Sequence, residues 1–178
     1  PLMPFLVDDA AESDGRETGE MRAFGAMATV PFTRGNDVEL LVDGDAMFEA
    51  LFAEIDAAET YVLTQFYIVH DDEIGRQYKD RLIAAARRGV TVRFLYDTIG
   101  SMKLPKAYKR ELEAAGVCIC PFTGPRNWLK KLRLNFRNHR KITVVDGRVA
   151  LVGGLNVGDE YLGKTEAFPH WRDTHLRV

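Results

Sequence analysis

Six residues near the end of the chain have types and spacing that could support chemistry. They lie in the stretch NFRNHRKITVVDGRVALVGGLNVGDEY, which runs from Asn135 to Tyr161. His139 and Lys141 are two apart on a predicted strand, so their side chains share one face. Two such side chains are costly to bury without a partner. A bound phosphate is a natural partner for both.

The turn and strand that follow add four further positions. Asp146-Gly147 is a strong hairpin signal, and Gly153 and Gly154 interrupt the returning strand. Glycine inside a strand often marks the close approach of a ligand or of another backbone segment. Asn156 supplies an amide donor near the same end. Each residue has a simpler explanation when taken alone, Asp146 as a turn residue for example, but their combined spacing favours a site for a phosphodiester.

Alternating strands and helices must position these groups. Residues 1–35 are polar and acidic without periodicity, which predicts a poorly ordered lead-in. Residues 36–178 form the predicted domain, an α/β fold with a mixed sheet and helices on both faces. The predicted helices are 45–59, 74–89 and 104–116. The predicted strands are 37–44, 60–69, 90–97, 117–122, 139–146, 148–157 and 174–178.

The distribution of charge indicates a local site for an anion. The formal net charge is −2, yet residues 101–148 hold twelve Lys or Arg against three acidic residues. Within them, residues 123–137, called here the basic segment, mix cations with large apolar side chains. This mixture suits an anionic bilayer surface or a nucleic acid backbone, or else a solvated loop whose apolar residues pack inward. The predicted membrane contacts are Trp128, Lys130, Lys131 and Arg133.

The spacing His139-x-Lys141-x4-Asp146, followed by Gly153-Gly154 and Asn156, resembles the HKD motif of the phospholipase D superfamily. The flanking stretches FYIVHDDEIG, RRGVTVRFLYDTIGS and WRDTHLRV resemble bacterial cardiolipin synthases in particular. The resemblance covers residues 37–178 and corresponds to the first half of such an enzyme. That family has two HKD motifs and commonly an N-terminal membrane anchor, whereas this chain has one motif and no run of the roughly 18 apolar residues that a membrane helix needs.

The resemblance implies a role for each residue of the motif. His139 would attack phosphorus and form a phosphohistidine, while Lys141, Asn156 and the two glycines would surround the phosphate. Asp173 matches the family position of the carboxylate that orients the imidazole. Asp146 belongs to the motif, although the turn already explains it. No metal or cofactor is expected.

The implied function is phosphatidyl transfer, in which phosphatidylglycerol donates to a second phosphatidylglycerol and cardiolipin forms. The alternatives are a phospholipase D-type hydrolase, a nuclease with the same motif, or a non-catalytic phosphate-binding half. The flanking stretches favour a lipid over a nucleic acid as the substrate. The expected partners are an anionic phospholipid, a membrane surface and a second HKD half, from the same full-length chain or from a homodimer. The expected location is the bacterial cell membrane, with this domain in the cytoplasm and held peripherally or by an anchor that this sequence lacks. The half alone is expected to be inactive as a monomer.

Overall fold

The computed structural model describes residues 35–123 and 137–178, together with Met27. Residues Val38–Val178 form one compact unit. No helix in the described ranges is long and apolar enough to cross a membrane. The elements in chain order are β1 (Glu39–Val42), α1 (Asp43–Asp56), β2 (Tyr61–Phe66), α2 (Glu73–Arg87), β3 (Thr91–Asp97), α3 (Lys106–Ala114), β4 (Cys118–Phe122), β5 (Ile142–Val145), β6 (Val149–Gly153), a 3₁₀ turn (Asp159–Leu162) and β7 (Thr174–Arg177).

The strands form one mixed sheet in the order β1-β7-β6-β5-β2-β3-β4. Strands β2, β3 and β4 are parallel and are joined through α2 and α3. The remaining pairs are antiparallel. The mixed α/β sheet predicted from the sequence is therefore confirmed. Because β5 returns beside β2, the segment that carries His139 reaches the carboxyl ends of the parallel strands.

The three helices lie against one face of the sheet. On β2, Val62, Thr64 and Phe66 are buried beneath them. Tyr78 of α2 packs edge-on against the ring of Phe66, and its hydroxyl hydrogen-bonds Thr64 Oγ1 at 2.8 Å. The opposite face, which was also expected to be covered by helices, carries partly exposed apolar side chains in the described part of the chain. They include Leu40, Leu63, Val152 and Leu176.

A buried carboxylate links α1 to the part of the sheet that contains β6 and β7. Glu54 of α1 is 7% exposed and accepts hydrogen bonds from Arg177 on β7 and from Arg148 at the β5–β6 turn. The two guanidinium groups lower the pKa of Glu54 against the opposing effect of its burial, which is the largest single influence. This charge network fixes α1 over β6 and β7, next to the strands that carry the candidate site.

Candidate active site

His139 lies just before β5 rather than within a strand. The strand predicted to begin at His139 begins at Ile142, where pairing with Gln65 of β2 ends. Beyond that point the backbone of Asn138 bonds to a side chain instead of to a neighbouring strand. His139 is therefore exposed at the end of the sheet, where ligands commonly bind in α/β proteins.

The residue before His139 is attached to the ends of two strands. Asn138 Oδ1 accepts a hydrogen bond of 2.8 Å from Gln65 Nε2 on β2. Asn138 N donates to Oδ2 of Asp97, the last residue of β3, at 3.3 Å. Asp97 is fully buried. These bonds fix the backbone that presents His139, although the segment itself has no regular structure.

The imidazole of His139 lies against an aromatic ring and beside a cation. The ring of Tyr67 stacks on it with centroids 3.8 Å apart and planes inclined by 23°. Lys141 Nζ lies 5.8 Å from the centre of the Tyr67 ring and donates to the carbonyl oxygen of His139 at 2.6 Å. The structure thus brings together the predicted His and Lys, with Tyr67 as a third member.

The electrostatic setting of Lys141 reflects partial burial. Burial lowers the pKa of Lys141, and the nearby carboxylate of Asp173 opposes this effect. The ammonium and the carboxylate are thus electrostatic neighbours. A phosphate placed beside Lys141 would supply a second negative group, which favours the charged amine.

Asp173 is held in place by its neighbours in the chain and by the start of α1. Its Oδ1 accepts from Thr174 N at 2.7 Å, and its Oδ2 lies 3.5 Å from Trp171 Nε1. Its backbone exchanges two hydrogen bonds with Asp43, which has a positive φ of 64°. Among the hydrogen bonds of the described residues, Asp173 has none from His139. In this structure its charge acts on Lys141 and on His175.

The two glycines of the motif leave room for side chains of the neighbouring strand. A Cβ at Gly153 would lie 2.5 Å from Cγ and Nδ1 of His175. A Cβ at Gly154 would overlap the carboxylate of Asp173, with its Cγ and Oδ2 at 2.7 Å. The space beside these glycines is thus occupied by the neighbouring segment of the chain, and their predicted role at the phosphate stays a prediction.

His175 is a buried neutral imidazole beneath this cluster. It is 2% exposed, and burial lowers its pKa to about 4, with Asp173 opposing and Lys141 adding to the effect. Its Nδ1 is buried and has no hydrogen-bond partner among the described residues. In the described ranges no group of three or more His, Cys, Asp or Glu side chains is arranged to hold a metal ion.

Asn156 has two structural partners. It is 6% exposed, its Oδ1 accepts from Ile68 N at 3.0 Å, and its Nδ2 donates to the hydroxyl of Tyr161 at 3.1 Å. The first bond fixes the backbone directly after Tyr67. Asn156 therefore supports the loop that carries the stacked ring, whatever else its amide contacts.

Asp146 lies at the other end of β5. It and Gly147 both have positive φ angles, 55° and 65°, as the predicted hairpin turn requires. Its carboxylate accepts from three successive backbone N–H groups at the start of β2, those of Glu59, Thr60 and Tyr61, at 2.9, 2.8 and 2.7 Å. These bonds, led by the one from Glu59, lower the pKa of Asp146.

The structure gathers His139, Lys141 and Asp173 at one end of the sheet, with Gly153 and Gly154 beneath them. It leaves Asp146 at the other end. The predicted lead-in up to residue 34, apart from Met27, lies outside the described residues, and so do the predicted membrane contacts Trp128, Lys130, Lys131 and Arg133. Sequence reasoning missed Tyr67 and Asp97. Both belong to the stretches FYIVHDDEIG and RRGVTVRFLYDTIGS, whose similarity to a known family was the only available signal.

Comparison with known proteins identifies the wider group. The family model described as "Cardiolipin synthase, PLD-like domain" matches residues 51–167. Cardiolipin synthase A of Pseudomonas fluorescens is 44% identical over 175 residues, which cover 98% of this chain and 36% of that protein. The cardiolipin synthase of Geobacillus kaustophilus is 51% identical over 148 residues, 83% of this chain and 30% of that protein. The chain thus spans about a third of the length of these relatives.

Solved structures share the fold at low sequence identity. Nuc from Salmonella typhimurium, a phospholipase D family member, superposes with a TM-score of 0.56 at 18% identity, covering 80% of this chain and 82% of that one. Phosphatidylserine synthase from Haemophilus influenzae gives a TM-score of 0.59 at 16% identity, covering 79% of this chain and 32% of that one. At these identities the likeness concerns the fold alone.

Proposed function

Because the chain belongs to the cardiolipin synthase family with a phospholipase D-like domain, we propose that it supplies one of the two HKD motifs of a phosphatidyltransferase. The donor and the acceptor are both phosphatidylglycerol, and the products are cardiolipin and glycerol. The second motif comes from a longer chain or from a second copy. The complete arrangement is called here the two-motif enzyme.

In the first step His139 acts as the nucleophile. Its Nε2 lone pair attacks phosphorus, a nitrogen–phosphorus bond forms, and the bond from phosphorus to the glycerol oxygen breaks. The histidine of the second motif donates a proton to that oxygen, so glycerol leaves neutral. Lys141 stabilises the charge on the nonbridging oxygens while phosphorus is five-coordinate.

In the second step a hydroxyl oxygen of the acceptor displaces His139 from phosphorus. The histidine of the second motif, now neutral, takes a proton from a hydroxyl of the acceptor phosphatidylglycerol. The resulting oxygen nucleophile attacks phosphorus, and the bond to His139 breaks. Covalent catalysis divides the displacement into two easier steps and returns both histidines to their starting protonation states.

The observation that carries this proposal is the arrangement of His139 and Lys141 at the carboxyl ends of the parallel strands, with Asp173 next to Lys141. An exposed imidazole beside a cation suits a phosphodiester. Asp173 is 130 positions from its backbone partner Asp43, so the folded domain is needed to place the carboxylate. In the substrate complex Asp173 accepts from His139 Nδ1, because catalytic hydrogen bonds often form or tighten only in the complex.

The test uses the two-motif enzyme and vesicles of phosphatidylglycerol, with the lipids separated by thin-layer chromatography. We expect His139→Gln to abolish cardiolipin formation and the acid-labile phosphoenzyme. The matched control His170→Gln changes another exposed histidine and should leave both unchanged. Phosphatidic acid as the sole product would identify a hydrolase, and cleavage of an oligonucleotide without lipid turnover would identify a nuclease. Phosphoenzyme formation in His139→Gln would disprove the assignment of the nucleophile.

The proposed location of the reaction is the bacterial membrane surface. The substrate is anionic and lies in the bilayer, and each cation of the basic segment held near such a surface contributes about 1 kcal/mol of binding. The proposed contacts are those of Trp128, Lys130, Lys131 and Arg133 with the lipid interface.

A further inference from the structure

Tyr67 has a contact with the proposed nucleophile that the HKD motif does not include. Its phenol ring and the imidazole of His139 are 3.8 Å apart between centroids and inclined by only 23°. The two residues are 72 positions apart in the chain. Such a nearly parallel stack restricts rotation of the imidazole, and it brings the electron-rich face of the phenol to the imidazole ring.

The backbone around Gly100 leaves a space that Tyr67 occupies. A Cβ at Gly100 would lie 2.9 Å from Cδ2 and Cε2 of the Tyr67 ring and would overlap its carbonyl oxygen. Ser101, which is 3% exposed, donates from Oγ to the same carbonyl at 3.1 Å. Its Oγ also accepts from Val69 N at 3.0 Å. The turn that follows β3 thus lies against the ring of Tyr67 and also bonds to its carbonyl group.

One buried carboxylate bonds to the two backbone segments that lie beside the stacked rings. Asp97 Oδ1 accepts from the N–H groups of Ile99 and Gly100 at 2.8 and 3.0 Å, which holds the turn against Tyr67. Its Oδ2 accepts from Asn138 N, directly before His139. The same buried carboxylate therefore holds the turn that contacts Tyr67 and the backbone directly before His139, which links the positions of the two stacked residues.

We propose that Tyr67 is a positioning residue for His139, holding the imidazole plane and stabilising the positive charge that the ring acquires when Nε2 bonds to phosphorus. This inference rests on the proposed function. A phosphorylated imidazole that keeps its Nδ1 proton is cationic, and the face of a phenol attracts a cation within about 6 Å. The interaction is stronger in the transition state than in the free enzyme, so it contributes to turnover more than to substrate binding.

The first experiment tests the stack itself in the 178-residue chain and needs no activity. The ring current of Tyr67 should shift the carbon-bound protons of the His139 imidazole upfield in the proton NMR spectrum, with His139→Gln used to assign them. We expect the upfield shift to persist in Tyr67→Phe and to disappear in Tyr67→Leu. Gly100→Ala keeps the phenol but displaces it, so it should reduce the shift. An unshifted His139 in the unsubstituted chain would overturn the proposal.

The second experiment tests the consequence in the two-motif enzyme. We expect Tyr67→Leu to lower kcat by roughly 5- to 30-fold, the effect of an added cation–π contact, with KM unchanged. Tyr67→Phe should restore the rate. The control Tyr61→Leu removes a half-buried phenol at the start of β2, whereas Tyr67 directly follows the end of that strand. This control should retain kcat.

The outcomes separate the two proposals. A normal kcat in Tyr67→Leu, or a loss that Tyr67→Phe does not restore, would overturn the positioning role. A different outcome is that the unsubstituted chain shows the upfield shift but His139→Gln is fully active. In that case His139 is not the nucleophile, and the positioning role of Tyr67 is refuted as well.

Discussion

Asp97→Asn should loosen the site while leaving the fold intact. The carboxylate of Asp97 is fully buried and accepts three backbone N–H groups, two through Oδ1 and one, from Asn138, through Oδ2. The carboxamide of Asn has only one oxygen. If that oxygen keeps the hydrogen bonds from Ile99 N and Gly100 N, the NH₂ group of the new side chain faces Asn138 N. Both groups are then donors, so no hydrogen bond can form between them.

The expected loss of stability follows from this count. A hydrogen bond to a charged group contributes about 1.5 to 3 kcal/mol. The bond to Asn138 N is long at 3.3 Å, so we expect its loss to cost an energy near the lower end of that range. The two remaining bonds become weaker, because their acceptor is no longer charged. We expect a total of about 2 kcal/mol and a fall in Tm of about 4 to 8 °C for a domain of this size. We also expect turnover of the two-motif enzyme to fall roughly 10- to 100-fold, because small displacements of a nucleophile have large effects.

Asp72→Asn is the matched control. Asp72 Oδ1 accepts from Gly75 N in its own turn at 2.9 Å, and Oδ2 accepts from the distant Asp159 N at 2.7 Å. It thus connects two segments as Asp97 does, but neither segment carries His139. The measurements are Tm, hydrogen exchange of the Asn138 amide and the rate of cardiolipin formation.

We expect both variants to lower Tm, whereas only Asp97→Asn should accelerate exchange at Asn138 and slow turnover. Unchanged exchange at Asn138 in Asp97→Asn would refute the claim that this carboxylate holds the segment that carries His139. Equal losses of turnover in the two variants would show that general destabilisation, rather than positioning, explains the effect.

Three further predictions concern other parts of the chain. Asp173→Asn should lower the rate by roughly 10² to 10⁴ with little change in Tm. Asp146→Asn should retain the rate but lower Tm, because hydrogen bonds to the backbone are lost. If rate and melting measurements show the reverse pattern, the roles assigned to the two carboxylates must be exchanged. The pKa of His175 is about 4 in the folded chain against 6.5 ordinarily. As the pH falls, the imidazole of the unfolded chain is therefore protonated before that of the folded chain. About 3 kcal/mol of stability that is present above pH 6.5 should be lost as the pH falls towards 4. Melting curves of His175→Leu should lack that part of the pH dependence, and identical curves would contradict it. Replacing the two lysines and Arg133 of the basic segment by Gln should weaken sedimentation with anionic vesicles at low salt and leave Tm unchanged; equal partitioning would refute the membrane contact.

The parts of the fold that follow local rules could be predicted from the sequence. Asp-Gly at residues 146–147 predicts a hairpin because both positions tolerate positive φ, and both adopt it. Gly89 and Gly116 are the last residues of two predicted helices and have φ values of 93° and 92°, as glycines at helix C-termini should. The spacing of His139 and Lys141 likewise placed them together, because that relation is set within one short segment.

The contacts that complete the site depend on tertiary structure and have no local signal. Tyr67 meets His139, and Asp97 meets Asn138, only because β5 returns beside β2 while β3 lies on the other side of β2. Strand order is a property of the whole sheet. For the same reason, the sequence pattern of Gly153 and Gly154 does not show what approaches them. Their neighbours His175 and Asp173 follow from the pairing of β7 with β6.

The HKD spacing itself combines two different physical requirements. His139 and Lys141 precede β5, whereas Asp146 follows it, five residues or about 16 Å beyond Lys141 in extended chain. Asp146 binds three N–H groups at the start of β2, and Asn138 is bound at the end of β2 by Gln65. The segment from Asn138 to Asp146, which contains the motif, is therefore bound to β2 at both ends. A change of its length by one residue would reverse the face on which Lys141 lies relative to Asp146, so the spacing is set by the sheet as much as by the chemistry at His139.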